Sequence, residues 1–217
     1  MAGTITALKF QKKNKERVNV YLDGRYAFSL AAIEAAPLRR GQWLSDREIE
    51  DLLGRDAFQR AYDRALRFLS YRPRSEAEVR RYLQSKKVPP AIETEVVERL
   101  TSVGLLDDQA FARYWVENRE NFNPRGRGAL QYELRQKGLS EEALALALED
   151  IDEEDSAYRA LISRAHRMSP LDRQAFRQKW GSFLRRRGFS YEAIHAALER
   201  TWRELVKEGR VLDETER

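Results

Sequence analysis

The stretch LRRRGFSYEAI, residues 184–194, repeats the earlier stretch LRQKGLSEEAL, residues 134–144, at an offset of fifty residues. A looser version, LQSKKVPPAI, begins at Leu83. In both close copies a leucine and basic residues precede a glycine, and a serine with apolar residues follows it. This order is typical of a helix that ends at glycine and of a new helix that begins at a serine cap. The repetition predicts a structural unit that recurs along the chain.

Three sets of apolar positions test the register of this repeat. Leu83, Leu134 and Leu184 are 51 and 50 residues apart, and apolar residues between them follow helical spacing. We therefore predict a mainly α fold of tandem three-helix repeats, with predicted boundaries at residues 55–106, 107–152 and 153–217. The two other sets that keep the same offsets are Val88, Leu139 and Phe189, and Val97, Leu148 and Leu198.

The N-terminal part of the chain, residues 1–54, has a different pattern. Three segments have the alternating, β-branched and aromatic character of strands: TITALKF (4–10), RVNVYL (17–22) and YAFSL (26–30). Asp23-Gly24 predicts a hairpin turn between the second and third segments. We expect a three-stranded antiparallel sheet, which is marginally stable alone and therefore needs to pack against another element.

Two capping boxes predict helix starts after the sheet. Ser45 with Glu48 predicts a short helix that carries Ile49, Leu52 and Leu53. Ser75 with Glu78 predicts the second helix of the first repeat. The core positions Leu69, Leu83, Phe111, Trp115 and Leu134 are expected to support the repeats and to carry no function directly.

Composition limits the functions that are open to this chain. Its 40 Lys and Arg residues exceed its 35 Asp and Glu residues, which permits a polyanionic partner without requiring one. Cysteine is absent, so disulfides, thiol catalysis and cysteine metal sites are excluded. No apolar run in the sequence reaches the roughly 18–20 residues that a membrane span needs. We expect no membrane contact, a cytoplasmic location and a monomer.

Basic residues concentrate at the end of the second helix of each repeat. Residues 72–87 carry six basic residues and two acidic ones, and residues 164–187 carry eight basic residues and one acidic one. Pairing with the helix dipole explains part of this pattern. Stacked repeats would also align the three basic helix ends into a stripe that suits DNA or an acidic protein groove. The candidate contact residues are Arg72, Arg74, Arg80, Arg81, Arg125, Arg127, Arg135, Lys137, Arg185, Arg186 and Arg187.

Residues that could carry catalysis or bind a metal are sparse. His166 and His195 lie on different predicted helices, and no nucleotide, metalloprotease or hydrolase motif occurs. In PRGRG, Gly126 and Gly128 are too few for a phosphate loop, and a helix start after a turn explains them. The acidic run EDIDEED, residues 149–155, lacks the spacing of an EF-hand, so we interpret it as a helix end and a cap. We predict no catalytic residue, cofactor or metal.

Three segments resemble the RecX family of bacterial regulatory proteins: ALRFLSYRPRSEAEVRRYL (65–83), GLLDDQAFARYWVENR (104–119) and RGRGALQYELRQKGLSEEAL (125–144). The resemblance implies tandem three-helix repeats that form a curved, elongated molecule. It also implies binding in the groove of RecA recombinase filaments on DNA, with inhibition of strand exchange, coprotease activity and ATP hydrolysis. Two alternatives stay open: a stand-alone basic DNA-binding protein, and a helical scaffold for some other protein.

Overall fold

The computed structural model describes residues 2–167 and 172–211, which form four strands and ten helices. The chain divides into two compact units, one that ends at Leu106 and one that begins at Asp107. The first unit contains the sheet and the first repeat. The second unit contains the second and third repeats.

The sheet of the first unit has four strands rather than the three that the sequence predicts. These are β1 (Gly3–Phe10), β2 (Arg17–Leu22), β3 (Arg25–Ala31) and β4 (Trp43–Leu44), in the order β3-β2-β1-β4 with antiparallel pairing. The predicted turn is present, because Asp23 and Gly24 between β2 and β3 have φ angles of 47° and 81°. Sequence patterns missed β4 because two residues are too few for an alternation to show.

One face of the sheet packs against the helices that follow it. Apolar side chains from β1, β2 and β3 form a core with α1 (Ala32–Ala35) and the start of α2 (Asp46–Leu69). Ser45 caps α2 in the predicted capping box with Glu48. The buried members of this core are Ile5, Val18, Val20, Leu22, Phe28, Leu30, Ala35, Leu38, Leu44, Ile49 and Leu52.

The prediction of a separate short helix after Ser45 is wrong, because α2 runs without a break for 24 residues. Its first part packs on the sheet, and its second part is the first helix of the first repeat. Leu53, which was expected on the apolar face, is instead 40% exposed. The helix continues through Gly54, although glycine disfavours a helix interior by about 1 kcal/mol.

A buried charged network fixes α2 to the sheet. The carboxylate of Asp56 accepts hydrogen bonds from both terminal guanidinium nitrogens of Arg17 on β2, each at 3.1 Å. It also accepts a hydrogen bond from the backbone N–H of Ala31 on β3 at 2.6 Å. Asp56 is only 3% exposed, so its carboxylate is shielded from water. The hydrogen bonds from Arg17 and Ala31 stabilise the buried negative charge in place of water.

The structure confirms the three-helix plan of each repeat. The first repeat adds α3 (Glu76–Ser85) and α4 (Pro90–Ser102) to α2; the second comprises α5 (Asp108–Phe122), α6 (Arg127–Gln136) and α7 (Glu141–Leu148); the third comprises α8 (Glu153–Ala165), α9 (Arg173–Arg186) and α10 (Tyr191–Lys207). Leu83, Leu134 and Leu184, which set the register in the sequence, are all fully buried, each in its own repeat's core. Leu69 and Trp115 are only partly buried against these cores.

Side-chain caps start the helices where the sequence predicts them. Ser75, Ser140 and Ser190 accept hydrogen bonds from backbone N–H groups at the starts of α3, α7 and α10. Asp107 caps α5, and Asp108 lies in its first turn. Asp152 caps α8 inside the acidic run, which confirms that this run is a helix end followed by a cap. No described helix has the length and apolar character to cross a membrane.

Candidate interaction surface

The predicted contact residues of the first repeat are held in local interactions. Arg72 forms an ion pair with Glu78 at 2.8 Å, and Arg80 pairs with Glu76 at 2.7 Å and with Glu93 at 3.4 Å. The guanidinium of Arg74 lies 4.1 Å from the centre of the Phe68 ring, and Arg81 is exposed. Burial lowers the pKa of Arg74, and the nearby charge of Arg72 lowers it further. Much of this charge is therefore balanced within the repeat.

The predicted residues of the second repeat are also engaged. Arg135 forms two hydrogen bonds with the Glu141 carboxylate at 2.7 and 2.8 Å. Arg127 donates to the backbone carbonyls of Glu149 and Ile151. The indole N–H of Trp115 donates a hydrogen bond to Glu133 at 2.8 Å. Two further predicted residues lie beside this pair: Arg125 is 3.9 Å from a Glu133 oxygen, and Lys137 is 4.7 Å from the centre of the Trp115 ring.

The three arginines of LRRRGFSYEAI have different surroundings. Arg185 and Arg186 are exposed, and neither forms an ion pair with any residue in 2–167 or 172–211. Arg187 is half-buried and donates a hydrogen bond to the backbone carbonyl of Pro124 at 3.0 Å. The sequence grouped the three together, but the structure leaves two of them available for a partner and uses the third to join two repeats.

Arg185 lies beside an apolar groove on the third repeat. The groove has a volume of about 400 Å³ and is formed by α9 and α10, with Gly181, Ile194 and Leu198 among its lining residues. Tyr191 at its edge is 75% exposed. An apolar groove next to free positive charge is a surface that suits a protein partner with an acidic rim.

The second and third repeats meet at a close backbone crossing, which we call the repeat joint. The N–H of Gly126 donates to the carbonyl of Arg187 at 3.0 Å, and a side chain at Gly126 would stand 2.0 Å from the carbonyl oxygen of Gly188. One Glu153 oxygen accepts from the backbone N–H groups of Arg127 and Ser190, at 2.9 and 3.2 Å. These contacts tie the start of α6 to the start of α10.

The sequence interpretation of Gly126 was therefore incomplete. Its φ of −69° suits any residue, so a helix start after a turn does not require glycine there. Glycine is required because the backbone of Gly188 lies where a side chain would be. The LRRRGFS copy of the repeated phrase thus contains a packing site, since Gly188 sits against Gly126 and Ala129.

A polar cavity of about 260 Å³ lies beside the repeat joint, and we call it the joint cavity. It is bounded by the end of α5, by the loop that follows it, by basic residues of α8 and by the basic residue that follows α9. Its lining includes Glu120, Phe122, Arg159, Arg164 and Arg187. Of these, only Arg187 was a predicted contact residue. Arg164 was counted in the basic segment 164–187, but charge counting gave no reason to select it.

The joint cavity is electrically unbalanced. Arg159 is paired with Glu120 and Asp155. By contrast, within the described residues neither Arg164 nor Arg187 has a carboxylate in ion-pair contact; both guanidiniums face the Phe183 ring, at 5.2 and 4.7 Å from its centre. Burial lowers the pKa of Arg187, and repulsion from Arg164 and Arg125 lowers it further. A negative ligand would relieve this repulsion.

The fold and these surfaces define a class of proteins in which a small N-terminal sheet is followed along the chain by tandem three-helix repeats. Four family descriptions match along the chain. "Regulatory protein RecX N-terminal domain" matches residues 3–42, and "RecX, first three-helix domain" matches residues 61–100. The second and third three-helix domains of RecX match residues 107–148 and 152–198.

Relatives and solved structures agree with this match. The regulatory protein RecX of Bacillus subtilis (strain 168) is 35% identical over 90% of this chain and 76% of its own length; that of Bacillus velezensis is 34% identical over 91% and 77%. A crystal structure of regulatory protein RecX is similar with a TM-score of 0.67 and 29% identity, covering 90% of this chain and 98% of that one. RecX from Lactobacillus salivarius, at 23% identity and a TM-score of 0.58 over 67% of this chain, shows the shared fold.

The chain belongs to the RecX family of regulatory proteins. The family is one of regulators, which agrees with a surface that offers basic side chains and grooves. Within the described residues no group of three or more His, Asp or Glu side chains is placed to hold a metal ion.

Proposed function

We propose that this protein is a negative regulator of the RecA recombinase, which it binds along the groove of the RecA–DNA filament. Binding lowers ATP hydrolysis, strand exchange and coprotease activity, and so restrains recombination, DNA repair and the SOS response. The protein acts in the cytoplasm as a monomer and without catalysis of its own. The observation that carries this proposal is the match to RecX domains along all four parts of the chain.

The surface of the third repeat supports the proposal. Arg185 is exposed at the apolar groove between α9 and α10, and Arg186, the next residue in the chain, is exposed as well. Apolar area supplies affinity in a protein interface, and free charge at its edge supplies orientation and a faster encounter. A filament of recombinase on DNA offers both protein surface and phosphate to such a region.

Reversing the charge of Arg185 and Arg186 tests this contact. We expect Arg185→Glu with Arg186→Glu to weaken binding to RecA–DNA filaments by roughly tenfold, since two ion pairs at about 0.5–1 kcal/mol each are lost. Co-sedimentation with preformed filaments measures the effect. Because both side chains lie in solvent, the variant should keep its helical circular dichroism and its melting temperature.

The matched control is a second pair of neighbouring exposed arginines. Arg39→Glu with Arg40→Glu makes the same change in net charge on the loop before β4. We expect this control to bind filaments like the parent protein. Equal weakening by both double variants would show that net charge alone governs binding, and it would contradict a contact at Arg185 and Arg186.

A stand-alone DNA-binding protein is the second candidate function, and the basic joint cavity favours it. This candidate predicts affinity for naked DNA that falls steeply with salt and needs no recombinase. The proposed regulator lowers recombinase activity on DNA that already carries a filament, and this effect distinguishes it whether or not it also binds naked DNA. A helical scaffold for another protein predicts neither result, so the two measurements together separate the three possibilities.

A further inference from the structure

The joint cavity combines positive charge with free hydrogen-bond donors. A guanidinium carries five N–H groups, and Arg187 uses one terminal nitrogen for the carbonyl of Pro124. Arg164 makes a ring contact with Phe183 and, among the described residues, no hydrogen bond through its side chain. The shared ring keeps both guanidiniums at the cavity. Among the described residues neither guanidinium has a carboxylate partner, and two such groups at one cavity form a donor set from which phosphate oxygens accept hydrogen bonds.

The carboxylate of Glu120 limits what the cavity can hold. One of its oxygens is paired with Arg159, whereas the other is buried and accepts no hydrogen bond within residues 2–167 and 172–211. A carboxylate repels a simple anion, and an unpaired buried acceptor calls for a donor. A ligand that carries both an anion and N–H or O–H groups therefore fits better than free phosphate does. A nucleotide carries both.

An exposed aromatic ring stands at the rim of the same cavity. Phe122, the last residue of α5, is 81% exposed. Aromatic side chains beside a basic groove are the usual platform on which unpaired bases of a single strand stack. An acidic peptide could use the arginines but would have no general need for this ring. The ring therefore favours nucleic acid over an acidic protein segment.

We propose that the joint cavity binds one nucleotide of a single-stranded nucleic acid, with the backbone phosphate at Arg164 and Arg187 and the base on Phe122. Glu120 accepts a hydrogen bond from the base or sugar. This inference rests on the proposed function in one respect: it identifies where the regulator would touch the DNA of a filament. The contact itself can be measured without any recombinase.

Fluorescence anisotropy of a labelled oligothymidylate, titrated with the full chain over a range of salt, tests the site. We expect Arg164→Gln to weaken binding by about tenfold and to reduce the salt dependence by roughly one phosphate contact. We expect Phe122→Ala to weaken binding by about tenfold at unchanged salt dependence, because only stacking is lost. Both side chains are exposed, so circular dichroism should show unchanged folding.

The second repeat offers a matched control for each variant. Arg113→Gln removes an exposed charge from α5, and Tyr132→Ala removes an aromatic ring that is 65% exposed on α6. Neither residue lines the cavity, so we expect less than a twofold change from either. If Arg113→Gln weakened binding as much as Arg164→Gln, or Tyr132→Ala as much as Phe122→Ala, the proposed site would be wrong.

Competition and recombinase assays separate the remaining outcomes. Inorganic phosphate should compete only at high concentration, since it lacks a base and donors. Displacement of the oligonucleotide by polyglutamate, with no effect of Phe122→Ala, would identify an acidic protein segment and overturn the inference. If the cavity variants change oligonucleotide binding while the parent protein leaves recombinase ATPase unchanged, the site stands and the proposed function fails. If the parent protein lowers recombinase ATPase but the cavity variants bind the oligonucleotide like the parent, the proposed function stands and the site is wrong.

Discussion

Asp56→Ala is expected to lower the free energy of unfolding of the first unit by about 3–5 kcal/mol, the usual cost of removing one partner from a buried ion pair. The change leaves the guanidinium of Arg17, whose side chain is 19% exposed, without its carboxylate. It also leaves the Ala31 N–H without its acceptor. Both donors lie on the sheet, whereas Asp56 lies on α2. The expected result is thus a sheet loosened from the long helix.

Urea unfolding combined with peptide-level hydrogen exchange measures this effect. Exchange should accelerate in β2 and β3 and stay unchanged in the second unit, since that unit has its own cores. Arg60→Ala is the control, because Arg60 is an exposed partner of Asp56 at 3.9 Å, and its loss should cost less than about 0.5 kcal/mol. Similar losses from the two variants would contradict the view that the network is a buried anchor.

Gly126→Ala is expected to destabilise the second unit by about 3 kcal/mol or more. The new methyl group would meet the Gly188 carbonyl oxygen at 2.0 Å, its carbon at 2.2 Å and the Phe189 nitrogen at 2.3 Å. These are backbone atoms, which cannot move aside as a flexible side chain can. The variant must therefore open the repeat joint, and the hydrogen bond from Gly126 to Arg187 should be lost with it.

Gly128→Ala is the matched control two residues away in the same PRGRG segment. Its methyl group would stand 3.5 Å from the Gly188 carbonyl, an ordinary contact, and Gly128 lies within α6. We expect no loss and a gain of up to about 1 kcal/mol, since alanine favours a helix over glycine. Thermal melting of both variants measures the difference. Equal melting temperatures would show that the two backbones do not cross as closely as described.

The three-helix repeats could be predicted from the sequence because their signals are local. Serine caps, glycine stops and helical spacing of apolar residues act within a few positions of each other, and Leu83, Leu134 and Leu184 repeat them. The strand β4 and the continuation of α2 through Gly54 depend instead on distant partners. Pairing with β1 makes Trp43–Leu44 a strand. Packing of α2 on the sheet outweighs the low helix propensity of Gly54.

The surface was harder to predict than the fold. Charge counting found the basic segments, but it could not find the pairs that balance Arg80 and Arg127, because Glu93 and the carbonyls of Glu149 and Ile151 lie 13 to 24 residues away. The joint cavity depends on a contact between Arg187 and Pro124, 63 residues apart. No spacing rule reaches that far, so Arg164 and Phe122 could not be selected from the sequence.

The most direct test of the proposed function is the DNA-dependent ATPase of the cognate RecA recombinase, titrated with the purified chain with and without residues 1–50. Binding along a filament predicts that the full chain lowers the ATPase rate at sub-stoichiometric amounts, since one molecule in the groove affects neighbouring recombinase subunits. The shortened chain lacks the sheet and the first turn of α2, and it shows what these contribute together to the effect. Unchanged ATPase and strand exchange with an equimolar amount of the full chain would contradict the account.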